Sequence, residues 1–128
     1  MSFAHTYDHA AGLGSKVSDI EADNRLTTKD KNYSVEKFVT KAKTPFYCDL
    51  GKKVTTISVV ETLLERYPEQ TQYWISKIEN VSIISIQNIL DRVPGTFMSN
   101  SSKKFASKLL EQNKMRLVEL KREPFNEV

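Results

Sequence analysis

Apolar residues recur at three- and four-residue steps along most of the chain after residue 17, which is the spacing of one face of an α-helix. The first clear face follows Ser34 and consists of Val35, Phe38, Val39 and Ala42. We expect Pro45 to end this helix, because proline disfavours helical backbone in the residue before it. The stretch from Tyr47 to Val54 has no helical period and is predicted to be a connection with a short extended piece.

Serine and threonine residues, which favour the first position of a helix, mark the helices before and after the Ser34 helix. Ser18 is predicted to cap a helix over Asp19–Leu26, with Glu21 as its capping-box partner three residues on. Thr56 or Ser58 is predicted to cap a later helix. The apolar stripe of that later helix consists of Val60, Leu63, Leu64 and Tyr67.

Two more helices follow a proline. Pro68 is expected to end the preceding helix, and Glu69–Asn80 is predicted to form the next one. Its apolar side consists of Trp74, Ile78 and Val81. Ser82 then begins a helix whose predicted buried face consists of Ile83, Ile86, Ile89, Leu90 and Val93. We expect Trp74 and these isoleucines to belong to the core.

The longest helix is predicted near the end of the chain. Pro94-Gly95 indicates a turn, after which Ser99 caps a helix to about Lys121, with Pro124 beyond its end. Its apolar face consists of Phe105, Ala106, Leu109, Leu110, Leu117 and Leu120. These elements predict an all-α fold of five to six helices in one compact domain over residues 17–128, preceded by an irregular loop over residues 1–16.

Composition excludes several classes of protein. The chain has 128 residues, of which 39% are apolar, enough for one domain with a core. The single cysteine, Cys48, excludes an internal disulfide framework and a cysteine-rich zinc module. The net charge of +3 is too small to indicate nucleic-acid binding. We expect Lys103, Lys104 and Lys108 to form a solvated face of the last helix.

The sequence also predicts a cytoplasmic protein. No stretch reaches the roughly 18 apolar residues that a membrane-spanning helix needs. Met1–Gly14 has neither the basic region nor the apolar region of a signal peptide. We therefore expect no association with a membrane.

The front loop contains a candidate metal ligand. Asp8 lies between Tyr7 and His9 and is followed by small residues as far as Gly14. A carboxylate is the hard oxygen ligand that Mg²⁺ prefers, and small residues allow backbone to approach a phosphate closely. An aspartate in a glycine-containing loop is also a common turn former, so the pattern alone leaves both roles open.

Three stretches, in order, resemble the HipA-like serine/threonine kinases, the family of the HipA toxin. Tyr7-Asp8-His9 with Gly12-Leu13-Gly14 is similar to the metal-binding segment of the family. Arg25-Leu26-Thr27-Thr28-Lys29-Asp30, followed by Ser34-Val35-Glu36, is similar to the stretch that leads into the next helix. A third set of residues is similar to the C-terminal helices of the family: Arg92-Val93-Pro94, Met98-Ser99, Phe105-Ala106, Leu109-Leu110, Asn113 and Arg116-Leu117. The resemblance covers nearly the whole chain.

The resemblance implies that the chain is the C-terminal helical part of the larger kinase lobe. Asp8 would match the aspartate in the DFG role, which holds Mg²⁺ on the β- and γ-phosphates of ATP. The ATP-binding lobe and the catalytic loop precede this segment in the family, and seven residues before Asp8 cannot contain them. We therefore expect a truncated or split kinase segment that is inactive alone and uses Mg-ATP only when a separately encoded kinase part completes it.

An alternative function stays open. The chain could be a non-catalytic interaction or regulatory module that inherited the fold. It departs from the family pattern in having His5 for proline, Gly12 for serine, and Pro45 within a normally unbroken helix. In either case we expect exposed apolar surface near the front loop and the Ser34 helix, where the missing lobe would lie.

Other candidate sites have a structural alternative. His5, Asp8 and His9 could together ligate a transition metal, or could simply be hydrogen-bonded to one another. Spacing places no base beside Cys48, so an inert thiol is expected. Asn113 and Arg116 flank the apolar stripe of the last helix and are expected to tie helices or loop carbonyls together rather than to contact a substrate.

Overall fold

The computed structural model describes residues 12–41, 43–47 and 50–122. Its six α-helices are α1 (Asp19–Thr27), α2 (Val35–Thr40), α3 (Thr56–Arg66), α4 (Pro68–Glu79), α5 (Ile83–Asp91) and α6 (Asn100–Arg122). A 3₁₀ turn over Gly12–Gly14 precedes α1, and the strands β1 (Lys43–Tyr47) and β2 (Lys53–Thr55) lie between α2 and α3. The predicted all-α fold in one compact domain is confirmed, with this small hairpin as an addition.

Hydroxyl side chains begin the helices. Four serines cap the helices predicted for them, each accepting a hydrogen bond from the backbone N–H three residues further on: Ser18, Ser34, Ser82 and Ser99. The cap of α3 is neither Thr56 nor Ser58 but Thr55, whose hydroxyl accepts from the N–H of Ser58 at 3.2 Å, so the helix begins one residue before the earlier of the two predicted positions. Each such cap contributes about 1 kcal/mol to stability.

The helix after Ser34 is shorter than predicted. It ends at Thr40, where the N–H of Lys41 donates to the carbonyl of Phe38 at 3.2 Å. Pro45 does not end it but lies inside β1, in a two-stranded sheet whose strands are both edges, as proline requires. The strands are antiparallel with an irregular register. The predicted face position Ala42 lies outside the described residues.

Pro68 begins a helix instead of ending one. α3 stops at Arg66, and Tyr67 joins it to α4, with Pro68 as the first helical residue. Proline suits this position because the first N–H of a helix has no partner within the helix. The hydroxyl of Thr71 donates to the carbonyl of Leu63 at 3.1 Å and so fixes the turn between the helices.

α6 is the central helix, and the other five helices and the 3₁₀ turn pack against it. Phe105 and Ala106, predicted for its apolar face, are fully buried. The remaining buried apolar side chains come from the surrounding helices: Ala22, Val35, Val39, Leu64, Ile75 and Leu90. None of the helices in the described ranges combines the length and the apolarity needed to cross a membrane.

The buried sides of α4 and α5 differ from the prediction. On α4, Ile75 is buried, whereas Trp74 is 48% exposed and Ile78 37% exposed. On α5, Leu90 is buried as predicted, but Ile89 is 63% exposed. Both helices carry apolar residues on more than one side, so the periodicity predicts a helix without showing which side meets α6. The expectation that Trp74 and the isoleucines form the core is therefore wrong for Trp74, Ile78 and Ile89.

Candidate functional site

The predicted metal ligand Asp8 lies outside the described residues, as do His5, His9 and Cys48. In the part of the chain that the structure describes, no three histidine, cysteine, aspartate or glutamate side chains are grouped so as to hold a metal ion. The described chain begins at Gly12, four positions after Asp8. The described residues nearest to Asp8 in the sequence are held by a set of contacts that we call the N-terminal anchor. It consists of Gly12–Gly14, Asp19, Ser99 and Phe105.

Gly14 packs directly against the central helix. Leu13 and Gly14 both have left-handed backbone, with φ of 57° and 72°. A Cβ atom on Gly14 would lie 2.5 Å from Cε1 and 2.7 Å from Cδ1 of Phe105, which is too close for any side chain. The N–H of Val17 donates to the carbonyl of Gly14 at 2.9 Å and closes the turn. The glycine of the Leu13-Gly14 pair is therefore required by close packing against Phe105.

Asp19 joins the starts of α1 and α6. Its Oδ1 accepts hydrogen bonds from Ser99 Oγ at 2.7 Å and from Ser102 Oγ at 3.4 Å. A carboxylate is stabilised at a helix N-terminus by the helix dipole, and this one lies at two such termini. The sequence did not reveal the contact, because 80 positions separate Asp19 from Ser99.

Arg25, near the end of α1, holds the loop before α2 in place. Its Nε and Nη2 donate to Glu21 Oε1 at 3.1 and 3.0 Å, and its Nη1 donates to the carbonyl of Tyr33 at 3.2 Å. The guanidinium carbon lies 4.2 Å from the ring centroid of Tyr33 and 4.9 Å from that of Phe38. Charged hydrogen bonds and cation–π contacts therefore hold this loop against α1.

Arg116 has the structural role predicted for it. Its Nη1 donates to the carbonyl of Val39 at 3.0 Å and so ties the last turn of α2 to α6. Lys121 acts similarly at the far end of α6, with its Nζ 2.6 Å from Ser76 Oγ and 3.4 Å from Glu79 Oε1. Asn113, the predicted companion of Arg116, is half-buried on the same helix.

Glu36 and Lys108 form an ion pair between α2 and α6, with 3.5 Å between Oε1 and Nζ. Hydrogen bonding to the backbone at Glu36 is the main cause that lowers the pKa of this carboxyl. The hydroxyl of Ser34 and the charge of Lys108 lower the pKa further, while partial burial opposes them. The carboxylate is therefore held ionised to lower pH than an isolated glutamate.

The Glu36→Gln substitution should destabilise the fold only while Glu36 is ionised. Because the folded pKa lies below the unfolded one, the carboxylate stabilises the fold above the unfolded pKa, and this contribution is lost as the pH falls through the folded pKa. Thermal unfolding measured from neutral pH to below the folded pKa of Glu36 should show a lower Tm for the variant at neutral pH and equal Tm values in acid. Glu65→Gln, at an exposed position of α3, is the control. A Tm difference that does not change with pH would contradict the assignment.

Several large apolar side chains are exposed on α4 and α5, whereas the Ser34 helix has its valines buried. Val35 and Val39 of that helix are buried, although Leu13 and Ile20 near the front of the chain are exposed. On α4, the rings of Tyr73 and Trp74 lie edge to face at 5.6 Å. The other exposed apolar residues of this region are Ile78, Val81, Ile84 and Ile89.

Comparison of the chain with models of known protein families, with curated proteins and with solved structures gave no match. Its function is therefore argued from the contacts of its own residues. The anchor and the exposed aromatic pair of α4 are the features that bear on it most directly.

Proposed function

We propose that the chain is the C-terminal helical segment of a HipA-like serine/threonine protein kinase, with Asp8 as a ligand of the Mg²⁺ that holds ATP. Alone it would transfer no phosphate, because the reaction needs a nucleotide cradle, a lysine, a base and metal ions acting together. Its partner would be the kinase part that carries these groups. A cytoplasmic location, where Mg-ATP is present, belongs to the same proposal.

The N-terminal anchor is the observation that supports this proposal best. A metal ligand helps phosphoryl transfer only when the protein holds it in a defined position. The end of the kinase-like segment is built into the core, since Gly14 lies against the buried ring of Phe105. Asp19 fixes the starts of α1 and α6 to each other close by. Such an anchor is what a segment with a positioned carboxylate requires.

Reconstitution tests the proposal. Incubated with Mg²⁺ and γ-³²P-labelled ATP, the chain alone should incorporate no label, and calorimetry should detect no Mg-ATP binding. Mixed with a HipA-like kinase polypeptide that ends before its own metal-binding segment, the chain should restore incorporation of label. Micromolar Mg-ATP binding or label transfer by the chain alone would contradict the proposed division of the kinase.

A second candidate, a non-catalytic protein-interaction module, is favoured by the exposed aromatic pair of α4. Tyr73 is 56% exposed and Trp74 48% exposed, and aromatic side chains are enriched at protein interfaces. Under this candidate, the chain binds an intact HipA-like kinase without restoring activity to the truncated one. Trp74→Ala should then weaken binding, whereas Phe97→Ala, at an exposed position in the turn before α6, should not.

A further inference from the structure

Two open cavities adjoin on the surface of the helical body. The first has a volume of about 450 Å³ and lies between α1, α5 and α6. The second, of about 530 Å³, lies between α2 and the loop that precedes it. Lys108 lines the first cavity and Glu36 the second, and the two residues form an ion pair, so the cavities lie beside each other. The two neighbouring cavities are considered together as one interrupted groove.

Lysines dominate the charge of this groove. We call it the lysine groove, and its six lysines are Lys29, Lys31, Lys37, Lys103, Lys104 and Lys108. Among the described residues, Lys108 alone of these has a carboxylate within 4.0 Å. Four carboxylates also line the groove, and six lysines minus four carboxylates leave an excess of two positive charges. The lysines predicted as a solvated face of α6 therefore line a cavity with a positive excess.

The first cavity also has an apolar part. Leu26 at the end of α1 and Leu90 near the end of α5 line it, beside Gln87 and Ser107. Its volume and that of its neighbour fall in the range of about 300–1,000 Å³ that ligand pockets occupy. An apolar side chain could be buried against the leucines while flanking acidic groups meet the lysines.

We propose that the lysine groove binds an acidic peptide segment of a partner protein, with one apolar side chain of that segment inserted against Leu26 and Leu90. The five lysines other than Lys108 complement the charge of glutamates and aspartates along such a segment, which sets orientation and increases the association rate. The apolar contact supplies burial that charge alone does not. This inference does not depend on the proposed kinase function.

The lining of the groove favours a peptide over a nucleic acid. Among the described residues, no aromatic side chain lines either cavity, so bases would lack the stacking surface typical of single-strand binding. No arginine in the described part of the chain lines them either, although arginine is the residue that matches phosphate with two parallel hydrogen bonds.

Fluorescence anisotropy tests this proposal with a labelled peptide of repeated Glu-Glu-Leu sequence. The peptide should bind the chain saturably at low salt, and its affinity should fall as the salt concentration rises from about 0.05 M to 0.5 M. Lys104→Glu and Lys29→Glu, one in each cavity, should each weaken binding about three- to tenfold, as reversal of an exposed charge pair would. Lys52→Glu makes the same change of net charge outside the groove and should have less effect. A peptide with serine for leucine should bind more weakly.

Three outcomes would overturn the proposal. Absence of saturable binding at low salt would show that the groove takes no acidic peptide. Equal weakening by Lys52→Glu would show attraction by net charge alone. Tighter binding of a single-stranded oligonucleotide of equal charge, weakened by the same two variants, would assign the groove to nucleic acid. Unchanged circular dichroism and Tm in the three variants would establish that the fold is intact.

Discussion

Replacing Phe105 by alanine is expected to lower the free energy of unfolding by about 3–5 kcal/mol, the usual loss for a buried aromatic side chain. Phe105 is 1% exposed and contacts Ala22 and Val35 in the centre of the core. Its ring also meets that of Phe38 edge to face at 5.2 Å. Because domains of this size are stable by only about 5–15 kcal/mol, the loss would be a large part of the total.

Urea unfolding of wild type and variant measures this loss. Phe97→Ala is the matched control, since Phe97 is 85% exposed and its truncation should change stability by about 0.5 kcal/mol or less. If the alanine variant does not fold, Phe105→Leu should fold with a smaller loss. Equal effects of the substitutions at 105 and 97 would contradict the central place given to Phe105.

Replacing Gly14 by alanine is expected to destabilise the fold by about 2–5 kcal/mol, from two causes. The left-handed backbone at φ 72° costs an L-residue about 1–2 kcal/mol. The added methyl group would also collide with the ring of Phe105 at 2.5 Å, and forcing extra volume into a packed core costs about 1–3 kcal/mol. The ring has little room to yield because it is buried.

Gly51 offers a control that separates the two causes. It has a similar φ of 76°, but nothing lies within 4 Å of the position of its Cβ. Gly51→Ala should therefore show only the backbone cost, about 1–2 kcal/mol. Chemical denaturation of both variants measures the difference, and equal losses at the two positions would show that Gly14 does not press on Phe105.

Helix starts could be predicted from the sequence because their signals are local. Ser18, Ser34 and Ser82 each need only the backbone N–H three residues away, which the chain supplies by itself. The isoleucine-rich stretch after Ser82 is helical despite its β-branched residues, as its three- and four-residue spacing predicts. The ends were less predictable, since Pro68 fits both the stop of one helix and the first position of the next.

Contacts between distant elements could not be predicted. The side of α4 that is buried depends on a helix far along the chain, and Ile75 rather than Trp74 lies on it. The hydrogen bond of Asp19 with Ser99 and the contact of Gly14 with Phe105 likewise join the two ends of the fold. Of the candidate site, the sequence supplied Asp8 and the Leu13-Gly14 pair, while the anchor that holds this pair became visible only in three dimensions.

The most direct test of the proposed role of Asp8 is the Asp8→Asn substitution in the reconstituted kinase mixture. Asparagine keeps the size of the side chain but removes the charge that Mg²⁺ requires. We expect it to abolish label incorporation from γ-³²P-labelled ATP while leaving the Tm of the chain unchanged, and we expect Asp23→Asn, at an exposed position of α1, to leave both unchanged. Full incorporation with Asp8→Asn would contradict the account.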